Sequence, residues 1–491
     1  MVTNSLRVSA DADLITAYLS VLTAAAAGLW AVHKYLAERR AAREQQAALS
    51  QQQLEQRRDE QVRARQERAA TLIRAVGEAA DPLARRWTMS ALSLYPEEAL
   101  DLLLAALGEA DQQDAAAIKL AVISMGPAAL SRTVHAQRIA SQICSAGEVT
   151  PESGDPTPDQ RQIDMAGASR IRDGTREIIL HLLLLLDDDQ RAGADLAKVD
   201  LTGVSLSLAN LKRVQFRKAR LDRAVMARGN LRGGNFRGAS LDDTVLTRAN
   251  LRSADLTGAC GPVRAIRANL SEAILDHADL SHSTMDAVQL NDASLRSTNL
   301  DHASLPGAKF TGAVLDKTRM VRVQAHHLSA TRLTGRGLYL FRADLTNARL
   351  PGCRFEKTRL AGATGEGIKA PRGVFIDCDL RGTRLPRARL DNAEFHRCDL
   401  AGTILTSATL QGAVFYSCTI ASADLSHAVL TGARFESCTF KGTVSLLGVD
   451  LTGVAFDRCT FHNGVKLDID HHSWRHADLD DCARAAFDPV S

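Results

Sequence analysis

The sequence predicts a stacked-repeat solenoid filling more than half of the chain. A helical region precedes it, and a membrane-crossing helix lies near the start. Three observations carry this reading. Large apolar residues recur at every fifth position from Leu196, through Leu201, Leu206, Leu211, Phe216 and Leu221. Residues 37–78 are rich in Ala, Gln, Glu and Arg, with no proline and no glycine before Gly77. Residues 14–32 carry no charge. Composition agrees. A chain of 491 residues exceeds one ordinary domain. With 45% apolar and 24% charged residues it is neither wholly disordered nor polytopic. Aromatics at 4% are few for conventional cores and fit small repeated cells. Nine cysteines without any C-x-x-C pair exclude a small disulfide framework and zinc ribbons, and point to a reducing compartment.

After a tail at 1–13, the run 14–33 predicts a single transmembrane helix, just long enough for a hydrocarbon core of about 30 Å. Tyr18 and Trp30 suit its two interfaces. Asp11 and Asp13 precede it, and Lys34, Arg39, Arg40 and Arg43 follow, which places the bulk of the chain on the cytoplasmic side. Residues 34–78 then form a helical stalk. Between Ser50 and Arg68 only Leu54, Val62 and Ala64 are apolar, so a coiled-coil seam is weakly supported. Residues 79–190 form an α-helical segment, loosely like a HEAT stack, broken at Pro82, Pro96, Gly108 and Pro127. Its loop at 146–165 holds Pro151, Pro156 and Pro158, and a last helix at about 166–187 contains the apolar run Ile178–Leu186.

The five-residue period continues over 191–465. A small residue sits two before each large one, and Asp, Asn, Ser or Thr often sits one before, as in the words Ala-Asn-Leu and Ala-Asp-Leu. Period five fits neither helix nor strand, so the unit turns a corner every five residues and must stack to bury its face. On these residues the chain resembles the pentapeptide-repeat family. The resemblance implies a mainly β solenoid, a right-handed quadrilateral β-helix of 20 residues per coil, about 11 coils and ~50–55 Å long. Phe355, Phe375, Phe395, Phe415 and Phe435 align at that spacing, as do Cys378, Cys398, Cys418 and Cys438. The cysteines are expected as small buried fillers rather than a metal ladder. The large residues fail at 321–344 and 361–374, which read as loops bulging from the rod, of the sort the family uses for partner contacts. A slip of one residue falls between Ile266 and Leu270, and another near Leu446. Residues 466–491 are expected to cap the last coil.

No nucleotide-binding, metalloprotease or serine-hydrolase motif occurs, so the expected function is non-catalytic and without cofactor or metal. His326, His327, His462, His471, His472 and His476 are the noticeable histidines; the terminal ones lie near Cys459, Cys482 and several aspartates, where a metal site is the alternative to a polar cap over the last coil. Asp222 and Asp242 read as solvated surface rather than an acid–base pair. Net charge is −6 over 1–190, +11 over 191–470 and −2 over 471–491. In the basic block Lys212, Arg232 and Arg252 align at coil spacing, as do Arg217 with Arg237 and Arg228 with Arg248. These seven form a candidate anion-binding face for lipid headgroups or nucleic acid. Some family members protect DNA gyrase by imitating DNA, but mimicry needs an acidic face, and this block is basic. The expected role is a membrane-anchored scaffold for an unknown protein partner, the alternative an electrostatic binder of anionic lipid or nucleic acid.

Overall fold

The computed structural model describes residues 5–78, 81, 84, 88–89, 91–146, 158–462, 465–469 and 477–487. The side chains of 5–29 are among those outside the description. The chain divides into two compact units, Met1–Ala99 and Leu100–Ser491.

In the first unit one helix, α1 (Ser5–Glu78), runs 74 residues, about 110 Å at the α-helical rise. The boundaries expected at 13/14 and 33/34 are therefore not breaks in structure. The described side chains from Trp30 to Arg68 are exposed, so this part of α1 is a solvated stalk without an apolar seam. Among the described residues no helix is long and apolar enough to cross a membrane. The helix expected at 14–33 is thus not found as a span. Its backbone belongs to α1, but most of its side chains lie outside the described residues.

Next come α2 (Pro96–Ala106), α3 (Gln112–Ser124), α4 (Ala129–Ala146), α5 (Pro158–Leu185) and the single turn α6 (Asp188–Arg191). Asp111 caps α3, accepting from the N–H groups of Gln113 and Asp114 at 2.9 and 2.8 Å. The loop expected at 146–165 is shorter, because α5 already starts at Pro158, a residue suited to the first helical position. In α5, Ile178, Ile179, Leu182 and Leu183 are buried, as the apolar run requires.

From Asp195 the chain winds into parallel coils, each residue bridged to the one 20 further on, as in Asp195↔Gln215↔Asn235↔Asp255. Two of every five residues point inward: the central one and the one two before it. The remaining three form the turn and the outer face. The repeated Asp or Asn just before the centre has a turn function. Its carboxyl or amide oxygen accepts the N–H two residues on, as Asp200 does from Thr202 at 2.9 Å and Asn250 from Arg252 at 3.2 Å. Two residues after the centre the backbone is left-handed, with φ +58° at Arg213 and +56° at Arg228. A side chain there is strained by about 1–2 kcal/mol. Each such turn is held by the ladder, as Arg228 N–H donates to the Thr247 carbonyl at 2.9 Å.

The two expected loops are corrected by the structure. Residues 321–344 and 361–374 are ordinary coils in unbroken register. The large residue has moved to the other inward position. Leu328 and Leu333 are buried two before the small centres Ala330 and Gly335, and Leu338, two before Leu340, also packs against Gly335. Ile368 does the same beside Ala370. Close packing constrains the summed volume of neighbouring inward sites, not the size of either one.

The first slip also moves. It is a one-residue deletion at Gly261–Pro262, before Ile266, since Ser240 bridges Cys260 but Val245 bridges Arg264. Gly261 takes φ +108°, and a Cβ there would lie 2.5 Å from the Asp242 nitrogen. The second slip is an insertion at Gly442–Thr443, placing Ser445 opposite Asp424.

One core runs the length of the solenoid and continues at its helical end into Val134, Ile179, Leu183 and Leu186. The open edge of the first coil is covered by α4 and α5. At the far end α7 (Asp481–Phe487), within the stretch expected as a C-terminal cap, brings Ala483 and Phe487 into the same core. Residues 470–476 and 488–491 of that cap lie outside the described residues.

Candidate anion-binding faces of the solenoid

The aligned phenylalanines form an inner column. Ring centroids of Phe375, Phe395, Phe415, Phe435 and Phe456 follow one another at 4.7–4.9 Å with planes within 8° of parallel. Beside it stand Cys378, Cys398, Cys418, Cys438 and Cys459, all buried as free thiols. Each thiol donates to the main-chain carbonyl of a phenylalanine in the preceding coil, at 3.2–3.4 Å. Thr298 and Thr318, earlier in the same column, make the same bond to Leu275 and Leu295 at 2.8 and 2.6 Å. The cysteine is therefore a buried stand-in for threonine. Burial pushes Cys353, in another column, up to about 12. Inside the ladder one thiol neighbour lowers each group, while the other neighbour and burial raise it; at the end Cys459, with only the lowering neighbour Cys438, is shifted down. The balance leaves Cys398, Cys418 and Cys438 at about 12, so they are protonated at neutral pH.

Among the described residues no cluster of three or more His, Cys, Asp or Glu side chains is arranged to hold a metal ion. His471, His472 and His476 lie outside them. His326 and His327 meet edge to face at 5.7 Å. Asp222 is more than solvated surface. Its Oδ1 accepts from Ser240 Oγ at 2.5 Å and from the Asp242 N–H at 3.1 Å, tying one coil to the next.

The seven candidate cations fall on three successive corners rather than one stripe. Lys212, Arg232 and Arg252 follow the inward Leu211, Leu231 and Leu251. Arg217 and Arg237 follow Phe216 and Phe236 on the next corner. Arg228 and Arg248 belong to the corner before. Two are engaged by carboxylates. Arg252 holds Glu272 at 2.5 and 3.1 Å, and Arg237 reaches Asp255 at 3.4 Å. The bonds from Arg252 and Ser253 pull the Glu272 carboxyl down to about 2. Among the described residues the other five have no carboxylate at ion-pair distance.

The face of Lys212 and Arg232 carries further cations that the linear reading passed over, because supposed loops and a one-residue slip hid the column they share. They are Lys309, Arg332, Arg349, Lys369, Arg372 and Arg389. Lys309, Arg349, Lys369 and Arg389 share one outward column, joined through the bridges Lys309↔Ser329↔Arg349↔Lys369↔Arg389. Pro351 and Pro371 flank it and, with Arg349 and Lys369, line a shallow groove.

A second basic cleft, of about 230 Å³, lies where α4 and α5 meet the first coils, lined by Arg138, Arg172, Lys198, Lys218 and Arg220. Its arginines are largely engaged in joining helices to coil. Arg138 donates to the Ala197 carbonyl at 2.6 Å and pairs with Asp195 at 3.3 Å. Arg172 and Arg176 lie 3.7 and 3.3 Å from the buried Asp200 carboxylate. An open apolar groove of about 780 Å³ in the helical region is lined by Leu104, Ile139, Ile143 and Ile171.

Comparison with known proteins agrees with this geometry. Pentapeptide repeats in eight copies match residues 192–227, 230–260, 266–300, 289–324 and 339–364. A pentapeptide repeat region matches 368–444, and repeats in nine copies match 425–468. No curated protein matches the chain. Among solved structures, HetL from the cyanobacterium Nostoc sp. strain PCC 7120, a pentapeptide repeat protein involved in heterocyst differentiation regulation, is 23% identical. The match covers 55% of this chain and 87% of that one, with a TM-score of 0.13. QnrB1, a plasmid-mediated fluoroquinolone resistance protein, is 18% identical over 39% of this chain and 88% of its own, with a TM-score of 0.21. The repeats match along nearly all of the solenoid, and each residue type of the motif has its inward or turn position in the coil, so the chain belongs to the pentapeptide-repeat family.

Proposed function

We propose that this chain is a non-catalytic scaffold that docks a protein partner along a face of its solenoid. The observation that supports it is the separation of roles within each five residues. Two inward positions and the main-chain ladder hold the core of the coil, which leaves the outward side chains available to specify a surface within the limits set by the turn. A rigid face loses little conformational entropy on binding. Photo-crosslinking residues placed singly at Arg349, Tyr416 and Phe341, on three different faces, test it in cells. The reading predicts one discrete crosslinked protein from one face. Crosslinks of the same pattern from all three faces would sink it.

The second reading is electrostatic, favoured by the five cations of the first coils that lack a carboxylate. Replacing Arg217, Arg232 and Arg237 with Glu separates the two, because only an electrostatic ligand is then lost. Attachment to a membrane through 14–33 remains the reading of the uncharged run and its basic flank. Alkaline extraction of membranes tests it: a spanning helix stays in the pellet, a peripheral protein is released.

A further inference from the structure

We propose that the face bearing Lys212, Arg232, Arg349 and Lys369 binds the phosphate backbone of duplex DNA, with the solenoid lying along the duplex and touching it once per helical turn. This goes beyond the protein-docking reading and stands or falls without it.

The argument is geometric. Coils bridge residue to residue without a break along this face, from Asn210 through Asn230, Asn250, Asn269 and Gln289 to Lys309, and on to Arg389. Lys212 and Arg349 therefore lie seven coils apart on one face, and so do Arg232 and Lys369. At about 4.8 Å per coil that separation is about 34 Å. One turn of B-form DNA is about 34–36 Å. A rod parallel to the duplex axis thus meets the backbone at its first basic patch and again, one turn on, at the second.

The charge pattern follows the same spacing. The first patch comprises Lys212, Arg213 and Arg232. The second comprises Lys309, Arg332, Arg349, Lys369, Arg372 and Arg389, with Asp391 its one acidic residue on this face. Among the described residues none of these nine cations has a carboxylate at ion-pair distance. Between the patches the face turns acidic: Glu272 is held by Arg252, and Asp292 follows one coil later. That interval would face a groove rather than a phosphate.

Arg349, Lys369 and Arg389 are stacked on successive coils and repel one another, and Lys369 is half-buried between its neighbours. A line of phosphates relieves that repulsion. A bilayer has no reason to match a 34 Å interval, and this face presents few exposed large apolar residues to enter one, Val429 lying beyond the patch. It also lacks aromatic residues on which single-stranded bases would stack. The contact reads backbone, so no sequence preference is expected.

The test uses the full-length chain and fluorescence anisotropy with four probes: a 24-bp duplex, an 8-bp duplex, a 24-nucleotide single strand, and vesicles of phosphatidylglycerol in phosphatidylcholine. The 24-bp duplex should bind tightest. The 8-bp duplex reaches only one patch and should bind on the order of 100-fold more weakly. With about six phosphates neutralised, log K should fall with log salt at a slope near −5. Combined Arg349→Glu, Lys369→Glu and Arg389→Glu should weaken the slope by about 3 and abolish the length dependence. Lys212→Glu with Arg232→Glu should also abolish the length dependence while leaving the other patch intact. Arg342→Glu with Arg359→Glu, on the opposite face, should change neither. The exposed positions leave the inward core untouched, so unchanged melting temperatures serve as the folding control. Equal affinity for both duplexes, a preference for vesicles or single strand, equal loss from the opposite-face variant, or no binding at 50 mM salt would each overturn the proposal.

Discussion

Gln137 is the residue on which the helical end of the solenoid most directly depends. Inside the stack, each coil's main-chain groups bond to the coils before and after it. The first coil has none before it. At Asp200 the missing peptide is replaced by the side-chain amide of Gln137, which is fully buried on α4. Its Nε2 donates to the Asp200 carbonyl at 2.8 Å, and its Oε1 accepts the Asp200 N–H at 3.1 Å. Gln137→Leu keeps the bulk but removes both bonds, leaving the buried Asp200 N–H without a partner and its C=O with only the long bond from Arg176 Nε at 3.5 Å. Each costs about 1–3 kcal/mol, so the terminal coil should lose roughly 2–5 kcal/mol. Repeat stacks open from their ends, so the loss should be local. Hydrogen exchange read by mass spectrometry should show protection over residues 196–204 falling by on the order of 30- to 4,000-fold, at about 1.4 kcal/mol per decade. Coils beyond residue 260 should be unchanged. Unaltered protection at 196–204 would refute the peptide-mimic argument, and a uniform loss along the rod would refute its locality.

Four other predictions follow from the same packing. Gly261→Ala should destabilise its coil by more than about 2 kcal/mol, seen in denaturant melts, because a Cβ would strike the Asp242 backbone and φ +108° is hostile to a side chain. Cys398→Thr should be tolerated within about 1 kcal/mol, since threonine makes the same carbonyl bond elsewhere in that column. The buried thiols themselves should resist alkylation in the folded state. Because folding raises Cys398, Cys418 and Cys438 to about 12, their stabilisation is present below the unfolded value near 8.5 and is lost as pH rises from there toward the folded value. At Asp200 burial pushes the carboxyl up, but hydrogen bonding from Thr202 and the charges of Arg176 and Arg220 outweigh it and hold it low. That stabilisation is present above the usual carboxylate value near 3.9 and is lost as pH falls through the lower folded value. A pH series of exchange at 196–204 should show the first coil loosening in acid before the central coils, and simultaneous loosening would count against it.

The coil was legible because its cause is local. A corner every five residues imposes the same inward and outward roles on each unit, so Leu201, Phe216 and Leu221 announce themselves, and Asn250 or Asp200 marks the turn that its own oxygen closes. The phenylalanine and cysteine columns were legible for the same reason, being the period repeated at 20. Where the linear reading erred, the controlling quantity was shared between positions. Leu328 beside Ala330 fills the volume that a large centre fills elsewhere, so coils that looked like loops are coils. Asp222 looked solvated because its bond partners lie 18 and 20 residues away in the next coil. Gln137 gives no signal at all in the sequence, since the Asp200 peptide groups it bonds are 63 residues distant. The same holds for the basic face: Lys212 and Arg349 come to share one surface only after closure and the one-residue slip at Gly261–Pro262 set which columns align. Local sequence thus determines the unit and its inward residues, because turn geometry and side-chain size act within five residues. Tertiary structure decides the caps and the faces, because an unsatisfied edge and a summed field belong to the stack and not to any one repeat.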